Sequence, residues 1–328
     1  MIVVTGGAGF IGSNLLAGLE ARGEDPAIVC DLLGDGDKWR NIAKREIADI
    51  IPPDRLFDWL ASNASDVHQI FHLGAISSTT ERDADAIVAN NFQLTRELWN
   101  WCAQHGNRFI YASSAAVYGD GSAGFEDDLD PAAMSALRPL NPYGWSKLVF
   151  DRRAARLAAH RGHYPGQWAG LRFFNVYGPN EYHKGGQRSV VPQFWEQVRD
   201  SGRACLFRSH HPDYPDGGQL RDFVHVDDCV DVMLWLYDNA SVSGLFNLGT
   251  GEARSFNDLA TALFAALGKP ANIEFIDTPP QIRQHYQYYT QARMDRLRAA
   301  GYERPFTTLE DGVRDYVQNY LEAADPYR

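Results

Sequence analysis

The sequence is poor in cysteine and contains no long apolar run. Only four of its 328 residues are cysteines, and no two of them form a CxxC pair. Scattered thiols of this kind are typical of a reducing compartment and argue against a metal site or a disulfide framework. No apolar run approaches the roughly 18 residues that span a bilayer, and the first residues lack the basic region of a signal peptide. We therefore expect a cytoplasmic protein that binds neither a metal nor a membrane.

Positive charge is scarce as well. Lys and Arg number 31 against 42 Asp and Glu, so the formal net charge is −11 at pH 7. Because binding to a nucleic-acid backbone needs clustered Lys and Arg, nucleic acid is not an expected partner. A nucleotide ligand is compatible with this charge, since it needs only backbone donors and a few local cations. The hydrophobic content of 45% fits a globular protein, and the length allows about two domains.

A glycine-rich segment follows the first β-branched run, residues 2–4. Its glycines have G-x-x-G-x-x-G spacing, and they are Gly6, Gly9 and Gly12. From Ile11 the pattern predicts a helix. A glycine turn that joins a strand to a helix N-terminus presents backbone N–H groups to a pyrophosphate. Asp31 ends the next predicted strand, where an acidic residue commonly binds the ribose of a dinucleotide. The segment therefore predicts a dinucleotide site, and the alternative is a tight turn without a ligand.

Hydrophobic periodicity predicts strands and helices in alternation along the first half of the chain. The predicted strands cover residues 2–4, 27–31, 69–73, 108–113 and 168–174. The predicted helices cover residues 11–19, 54–61, 83–105 and 143–159. Such alternation is typical of an α/β fold with a Rossmann-type, doubly wound parallel sheet, whose ligands lie at the carboxyl ends of the strands. Residues 1–174 form the predicted dinucleotide-binding domain, to which residues 223–250 return.

For the second half of the chain, residues 175–328, we predict a smaller, interleaved C-terminal lobe that binds the substrate. Residues 175–222 are expected to be loops that line a pocket, interrupted by a helix at 192–201. Further helices are predicted at 226–239, 255–267 and 308–321, with a short strand at 245–248. No linker rich in Ser or Gly separates the two lobes, which is why we expect them to interleave.

Tyr143 and Lys147 form a Y-x-x-x-K motif at the start of a predicted helix. Residues four apart lie on one helical face, and an ammonium group beside a phenol lowers the pKa of the phenol. A tyrosine tuned in this way can exchange a proton with a substrate hydroxyl. Ser113 and Ser114 lie where the preceding predicted strand ends, and one of their hydroxyls is expected to bind the same substrate oxygen. The alternatives are an ordinary exposed helix and a serine that only caps the strand end.

Seven segments resemble, in order, the motifs of the extended short-chain dehydrogenases/reductases, the group of nucleotide-sugar epimerases and dehydratases. They are TGGAGFIGS at 5–13, HLGA at 72–75, YASSAAVYG at 111–119, NPYGWSK at 141–147, RFFNVYGP at 172–179, RDFVHVDD at 221–228 and FNLGTG at 246–251. The resemblance covers nearly the whole chain. It implies a nicotinamide cofactor (NADP or NAD), a nucleotide-sugar substrate and a homo-oligomer. The oligomer that the resemblance implies is a pentamer.

Three further segments resemble the ADP-glyceromanno-heptose 6-epimerase family. They are SSTTE at 77–81, EYHKG at 181–185 and TQARMDRLRAAGY at 290–302. The family implies an ADP-heptose substrate, epimerised at C6 through a 6-keto intermediate for lipopolysaccharide core biosynthesis. Hydride must return to the opposite face of the ketone, so protons are handled either by two bases or by one base and a turning substrate. In that family Lys184 is a second acid/base beside Tyr143, whereas the residues alone explain Lys184 equally as a solvated or phosphate-pairing lysine.

The resemblance implies contacts residue by residue. On the cofactor side these are Gly6, Gly9, Phe10, Ile11, Gly12, Asp31, Leu32, Lys38, Leu73, Gly74, Ala75, Ile76, Ser77, Asn90, Tyr143, Lys147, Val176 and Lys184. On the substrate side they are Asn175, Gly186, Gln193, Phe207, Arg208, Ser209, His210, Arg221 and Tyr286. The predicted catalytic residues are Tyr143, Lys147, Lys184, Ser113 and Ser114.

The cofactor preference stays open at this point. Asp31 favours NAD because its carboxylate repels a 2′-phosphate, whereas Lys38 and Arg40 favour NADP, which the family implies. The family's pattern has a lysine near position 53 and often an asparagine at position 32, where this sequence has Pro53 and Leu32. The segment 210–220 is also longer than its counterpart in the family.

Two alternatives to the heptose epimerase are a UDP-hexose 4-epimerase and a nucleotide-sugar dehydratase of the same group. A dehydratase would be expected to carry an acidic pair beside the Ser-Ser motif, and Ala115 and Ala116 stand there instead. An alternative of another class is a non-catalytic dinucleotide sensor. Such a sensor would be expected to have lost Tyr143 or Lys147, and both are present.

Overall fold

The computed structural model describes residues 1–159, 162–279, 283 and 287–328. Its strands are β1 (Ile2–Thr5), β2 (Ala27–Cys30), β3 (Ile47–Ile51), β4 (Gln69–His72), β5 (Arg108–Ser114), β6 (Gln167–Phe173), β7 (Asn175–Tyr177), β8 (Ala204–Phe207), β9 (Leu220–His225), β10 (Gly244–Leu248), β11 (Ala253–Ser255) and β12 (Ile273–Ile276). Its α-helices are α1 (Phe10–Ala21), α2 (Leu56–Ser62), α3 (Ala84–Ile87), α4 (Leu94–His105), α5 (Pro131–Ala136), α6 (Pro142–Ala159), α7 (Val190–Ser201), α8 (Val226–Asp238), α9 (Phe256–Ala266), α10 (Asp295–Ala299) and α11 (Leu309–Tyr316). Short 3-10 turns cover Asp37–Ile42, Pro53–Arg55, Ala115–Tyr118 and Tyr182–Gln187, and π-helical turns cover Val88–Gln93 and Val317–Leu321.

A seven-stranded parallel sheet forms the centre of the protein, with the strand order β10-β6-β5-β4-β1-β2-β3. Strands β1, β2 and β4 are buried along their whole length, which is why they consist mainly of apolar residues. Strand β1 lies between β2 and β4, so the chain order reverses beside it. At such a switch point the crevice for a ligand opens at the carboxyl ends of the strands. The predicted α/β fold with a Rossmann-type sheet is confirmed.

Strand β3 is missing from the predicted set because it lies at the edge of the sheet. Its three central residues, Ala48, Asp49 and Ile50, are exposed. An edge strand with an exposed carboxylate has neither the apolar run nor the strict alternation from which a strand is predicted.

The prediction of loops across residues 175–222 is wrong for three segments, because β7, β8 and β9 lie there beside the predicted helix α7. Strands β7 and β9 pair in parallel, and β11 completes a three-stranded sheet. Strand β8 pairs with β12, about 70 residues further along the chain. Strand β9 contains buried Arg221 and Asp222, so its sequence is not that of an apolar strand. These short strands depend on distant partners that a local pattern does not reveal.

The second half of the chain also contributes to the central sheet and to its cover. Strand β10 pairs with β6 along its whole length, and α8 packs against α1. A Cβ on Gly18 of α1 would lie 2.5 Å from Val230 Cγ1 of α8, so the glycine allows the two helices to approach closely. This packing fixes the helix that begins at the glycine turn. Within the described ranges, no helix is both long and apolar enough to cross a membrane.

Candidate functional site

A cavity of about 710 Å³ lies at the carboxyl ends of the central strands. One wall consists of the glycine turn, residues 73–79 after β4, residues 112–114 of β5 and residues 173–176 at the end of β6. Tyr143 and Lys147 of α6 complete that wall. Residues between His183 and Val190, together with Phe223 and Phe256, form the other side. The cavity therefore lies between the sheet and the second half of the chain, where the fold predicts a ligand.

The glycine turn has the shape of a phosphate cradle. Gly6 has a φ of 68°, and a Cβ there would lie 2.5 Å from the Gly74 nitrogen. A Cβ on Gly12 would lie 2.1 Å from the Gly6 carbonyl oxygen. No side chain of the described residues caps α1, and its first turn has no acidic residue. Its first N–H groups are thus available to an anion, and the turn fits the pyrophosphate of a dinucleotide.

Asp31 and Lys38 lie in contact at one end of the cavity. The Lys38 Nζ donates to the Asp31 carboxylate at 2.6 Å and to the Leu32 carbonyl oxygen at 2.9 Å. The other oxygen of Asp31 accepts from the Ala8 N–H at 2.9 Å, which anchors it to the glycine turn. Because Lys38 offsets the charge of Asp31, the repulsion of a 2′-phosphate is weaker than Asp31 alone would produce.

Tyr143 and Lys147 reach the cavity from the first turns of α6. The Lys147 Nζ lies 6.0 Å from the centroid of the Tyr143 ring. Burial lowers the pKa of Lys147 to about 8, and the charge of Asp151 opposes that change. Burial raises the pKa of Tyr143, opposed by a hydrogen bond with Ser114. The prediction that the pKa of the phenol is lowered is therefore wrong for the chain as described, because desolvation outweighs its neighbours.

The two adjacent serines at the end of β5 have different partners. Ser114 accepts a hydrogen bond from the Ala116 N–H at 3.1 Å and is also hydrogen-bonded to the Tyr143 side chain. Ser113 is buried, and its hydroxyl donates to the Asp151 carboxylate at 2.9 Å. Both serines line the cavity. Ser114 is placed beside the reactive phenol, whereas the hydroxyl of Ser113 is bound to the core.

Asp151 lies at the centre of a buried polar network next to the cavity. The Tyr111 hydroxyl and the Arg172 Nε donate to its carboxylate at 3.0 and 2.9 Å, and the side chains of Asp151 and Arg172 have no exposed surface. Removing one partner of a buried ion pair typically lowers the free energy of unfolding by about 3–5 kcal/mol. Because its members lie on β5, β6 and α6, the network holds these three elements together. Asp151 is not in the predicted site, although its place four residues after Lys147 could have indicated it.

Lys184 enters the cavity from the Tyr182–Gln187 turn. Its Nζ lies 5.4 Å from the centroid of the Phe10 ring, which belongs to the first turn of α1. Burial lowers the pKa of Lys184, and the charge of Glu181 opposes that change. A lysine with a lowered pKa has a larger neutral fraction near neutral pH, which is what a base needs.

His183 also lines the cavity, although the predicted site does not contain it. Its ring nitrogen Nδ1 lies 3.1 Å from the Asn41 side-chain amide. Burial, together with the charges of Lys38 and Lys184, lowers the pKa of His183 to about 4. Its position next to Lys184 in the sequence is the one signal that could have indicated it.

The cavity concentrates positive charge in an acidic protein. Only five lysines occur in the sequence, and three of them line this cavity: Lys38, Lys147 and Lys184. Arg188 lines it as well but forms a two-pronged ion pair with Glu196, at 2.6 and 3.0 Å. No group of three or more His, Cys, Asp or Glu side chains in the described part of the chain is arranged to hold a metal ion. The cavity therefore suits an anionic ligand.

Most of the predicted site residues meet at this cavity. They are Gly6, Gly9, Phe10, Ile11, Gly12, Asp31, Lys38, Leu73, Gly74, Ala75, Ile76, Ser77, Ser113, Ser114, Tyr143, Lys147, Asn175, Val176 and Lys184. Others lie outside its lining, namely Leu32, Asn90, Gly186, Gln193, Phe207, Arg208, Ser209, His210 and Arg221. Tyr286 lies outside the described residues.

Asn90 and its neighbour Asn91 lie in the Val88–Gln93 π-helical turn. The exposed Asn90 side chain donates to the Ala86 carbonyl oxygen at 3.0 Å. Asn91 is buried and holds the backbone of Ile76, accepting from its N–H and donating to its carbonyl oxygen, both at 2.9 Å. Turns of this kind are frequent at functional sites, and here the turn fixes the segment that follows β4.

His72 is buried below the same segment as a neutral ring. The Thr95 hydroxyl donates to the Asn91 carbonyl oxygen at 2.6 Å, so its oxygen accepts from His72 Nε2 at 2.8 Å. His72 Nδ1 then accepts from the Thr5 hydroxyl at 2.6 Å. Burial lowers the pKa of His72 to about 3, with a smaller contribution from the charge of Lys147.

We expect His72 to make the protein less stable in acid. The unfolded chain protonates this histidine near pH 6.5, whereas the folded chain resists protonation down to about pH 3. Since the unfolded state binds more protons in that window, the free energy of unfolding falls as the pH drops from 6.5, by up to about 1.4 kcal/mol per pH unit for this group. Urea unfolding of the wild type and of His72→Gln from pH 7 to pH 4 measures the difference. Equal pH slopes in both proteins would contradict the assignment.

Comparisons with known proteins agree on one family and one fold. The family model described as "NAD dependent epimerase/dehydratase family" matches residues 2–249. The ADP-L-glycero-D-manno-heptose-6-epimerase of Nitratidesulfovibrio vulgaris (strain DP4) is 51% identical over 329 residues, with 100% of each chain covered.

Solved structures of two epimerases, among others, resemble nearly the whole chain. The ADP-L-glycero-D-manno-heptose-6-epimerase of Helicobacter pylori has a TM-score of 0.78 at 27% identity, covering 97% of this chain and 95% of that one. The UDP-glucose 4-epimerase of Thermus thermophilus, in complex with NAD, has a TM-score of 0.72 at 27% identity, covering 95% of this chain and 96% of that one.

Proposed function

We propose that this chain, which belongs to the NAD dependent epimerase/dehydratase family, epimerises C6 of the heptose in ADP-D-glycero-D-manno-heptose. The product is ADP-L-glycero-D-manno-heptose. The observation that carries the proposal is the presence of two acid/base groups, Tyr143 and Lys184, on one cavity beside the glycine turn. The substrate is supported by a relative that has this activity in its name and matches over the full extent of both chains at 51% identity. The protein is thus an isomerase in this proposal.

The protein's own residues move the protons of the reaction. A nicotinamide cofactor, when bound at the glycine turn, would supply the hydride chemistry at C6. Tyr143 exchanges the proton of the C6 hydroxyl on one face, with Ser114 orienting the phenol. Lys184 exchanges it on the other face, from a position that is half-buried and low in pKa. Lys147 lines the same cavity from the next turn of the helix, with its Nζ 6.0 Å from the centroid of the Tyr143 ring.

We propose NADP as the cofactor, held by the glycine turn with its 2′-phosphate at Lys38. The ion pair of Lys38 with Asp31 supports this proposal, since it leaves the carboxylate compensated. Arg40, the second cation that could favour NADP, lies over the ring of Tyr327 instead, at 4.5 Å from its centroid.

Replacing Lys38 by alanine is expected to weaken NADP binding and to leave NAD binding nearly unchanged. Losing a charge-assisted hydrogen bond to the 2′-phosphate typically costs about 1.5–3 kcal/mol, or a ten- to hundredfold rise in Kd, and the uncompensated Asp31 adds repulsion. Titration of both cofactors into cofactor-free protein measures the two constants, with NAD as the matched control. Equal losses for both cofactors would contradict the placement of the 2′-phosphate.

The proposal extends to the ADP end of the substrate, the assembly and the role in the cell. Asn175 is assigned to the sugar, and the adenosine and diphosphate to residues 207–210 and Arg221, where a guanidinium suits phosphate oxygens. We further propose a homo-oligomer and, for the product, use in lipopolysaccharide core biosynthesis. These assignments rest on the motif resemblance set out above.

The direct test is to incubate the purified, cofactor-loaded protein with ADP-D-glycero-D-manno-heptose and to separate the epimers. We expect conversion to the L-glycero epimer and, starting from that epimer, approach to the same equilibrium mixture. UDP-glucose serves as the comparison substrate, and it should not be converted to UDP-galactose. If the folded, cofactor-loaded protein left both ADP-heptose epimers unchanged, the result would contradict the proposal. Conversion of UDP-glucose would favour the 4-epimerase alternative.

A further inference from the structure

Residues 325–328 pack onto two turns that border the cavity. Tyr327 is 8% exposed, and its ring lies edge-on to that of Tyr182, with the centroids 5.2 Å apart. The Arg40 guanidinium described above lies over the same ring. The Tyr182 hydroxyl donates to the Pro326 carbonyl oxygen at 2.9 Å. Tyr182 is two residues from Lys184, and Arg40 is two residues from Lys38, so one ring contacts both turns.

Polar contacts fix the same segment at both of its ends. The Lys44 Nζ lies 2.9 Å from the Asp325 carboxylate and donates to the Tyr327 carbonyl oxygen at 2.5 Å. The Arg328 guanidinium donates to Asn14 of α1 at 3.0 Å and forms an ion pair with Asp227. The segment is therefore bound to the helix of the glycine turn as well as to the two turns.

A second set of contacts joins the two turns directly. The Asn41 side chain donates to the Ala8 carbonyl oxygen of the glycine turn at 2.9 Å and lies beside His183. The Asn180 side chain donates to Ser13 of α1 at 3.0 Å and to the Asn41 carbonyl oxygen at 3.3 Å, and its oxygen accepts from the Arg328 N–H at 3.0 Å. Asn180 has a φ of 72°, a conformation that costs energy for a residue other than glycine and persists where neighbouring contacts hold it.

We propose that residues 325–328 are a positioning strap, which holds the Lys184 turn against the glycine turn and so fixes the Lys184 amine over the cofactor site. The strap acts on the Lys184 turn through Tyr182 and Asn180, and on the Lys38 turn through Arg40. This inference rests on the proposed function only in assigning Lys184 an acid/base role, because the geometry of the strap is independent of the substrate.

Loosening the strap has three expected consequences. Misplacing a reacting group by about 1 Å can cost up to a hundredfold in rate, and we expect a fall in kcat of about tenfold with little change in KM. The bound cofactor should dissociate faster, because Lys38 and the glycine turn lose a common support. The Lys184 amine should also become more accessible, since its turn then opens locally more often.

The experiment compares Tyr327→Ala with Tyr327→Phe, which keeps the ring and serves as the matched control. Lysine acetylation, followed by mass spectrometry, reports Lys184 relative to the exposed Lys269 in the same molecule. In Tyr327→Ala we expect roughly tenfold faster labelling of Lys184, faster cofactor release and the lower kcat, and in Tyr327→Phe wild-type behaviour. Labelling and cofactor release need no substrate, so they test the strap even if the protein converts no ADP-heptose.

A second variant keeps the test decisive if Tyr327→Ala does not fold. Arg328→Ala removes the contacts with Asn14 and Asp227. Its control is Arg304→Ala, which removes a surface ion pair with Asp231 at 3.3 Å. Faster Lys184 labelling in Arg328→Ala alone would support the strap. Wild-type labelling, cofactor release and kcat in a folded strap variant, or equal changes in Arg304→Ala, would overturn it.

Discussion

Replacing Tyr143 by phenylalanine is expected to reduce kcat for epimerisation about a thousandfold, in the middle of the range for loss of a general acid/base. The ring stays in place and only the hydroxyl hydrogen-bonded to Ser114 is lost, so KM and the bound cofactor should change little. Turnover of the two ADP-heptose epimers, with the cofactor content measured on the same sample, checks this expectation. The effect should be the largest of any single substitution in the cavity.

Tyr164→Phe is a suitable control, because it removes a phenol hydroxyl from an exposed position. Its kcat should equal that of the wild type. A Tyr143→Phe protein that retained more than about a tenth of the wild-type kcat would show that another group handles this proton.

The second large effect is expected for Lys184→Ala, with a loss of kcat of about a hundred- to a thousandfold. The cofactor should remain bound, because the glycine turn, Lys38 and Lys147 are untouched. With two bases serving opposite faces, a single base still suffices to oxidise one of the two epimers. We therefore expect one ADP-heptose epimer to reduce the bound cofactor in Lys184→Ala, and the other epimer to do so in Tyr143→Phe.

Single-turnover measurement of nicotinamide absorbance with each epimer distinguishes these outcomes. Lys269→Ala removes an exposed lysine and is the control. If Lys184→Ala epimerised at the wild-type rate, or if both variants lost reduction by the same epimer, one base with a turning substrate would be the better description.

The parts of the fold that follow from local physical chemistry could be predicted from the sequence. Strands β1, β2, β4, β5 and β6 contain buried apolar runs, so their pattern indicates them. Strands β3, β7, β8, β9 and β12 are short, exposed or polar, and pairing with distant segments stabilises them. A pattern read within a window of the chain does not contain those partners.

The same distinction applies to the site. Gly6 and Gly12 are required by the local turn, and the four-residue spacing of Tyr143 and Lys147 places both on one helical face. The role of Lys184 came only from the family resemblance, since a lysine in a polar loop has many explanations. Asn41 and His183 meet across more than 140 residues of chain, and no local signal indicates such a contact.

The pKa of Lys147 is lowered to about 8, so ligand binding in the cavity is coupled to protonation of this lysine. An anionic dinucleotide bound in the same cavity favours the charged form of the Lys147 ammonium group and raises that pKa. Above about pH 8 the protein therefore takes up a proton when the dinucleotide binds, and its affinity declines with rising pH, by up to about tenfold per pH unit. The enzyme would hold its cofactor most tightly below pH 8 and release it most readily in alkaline solution.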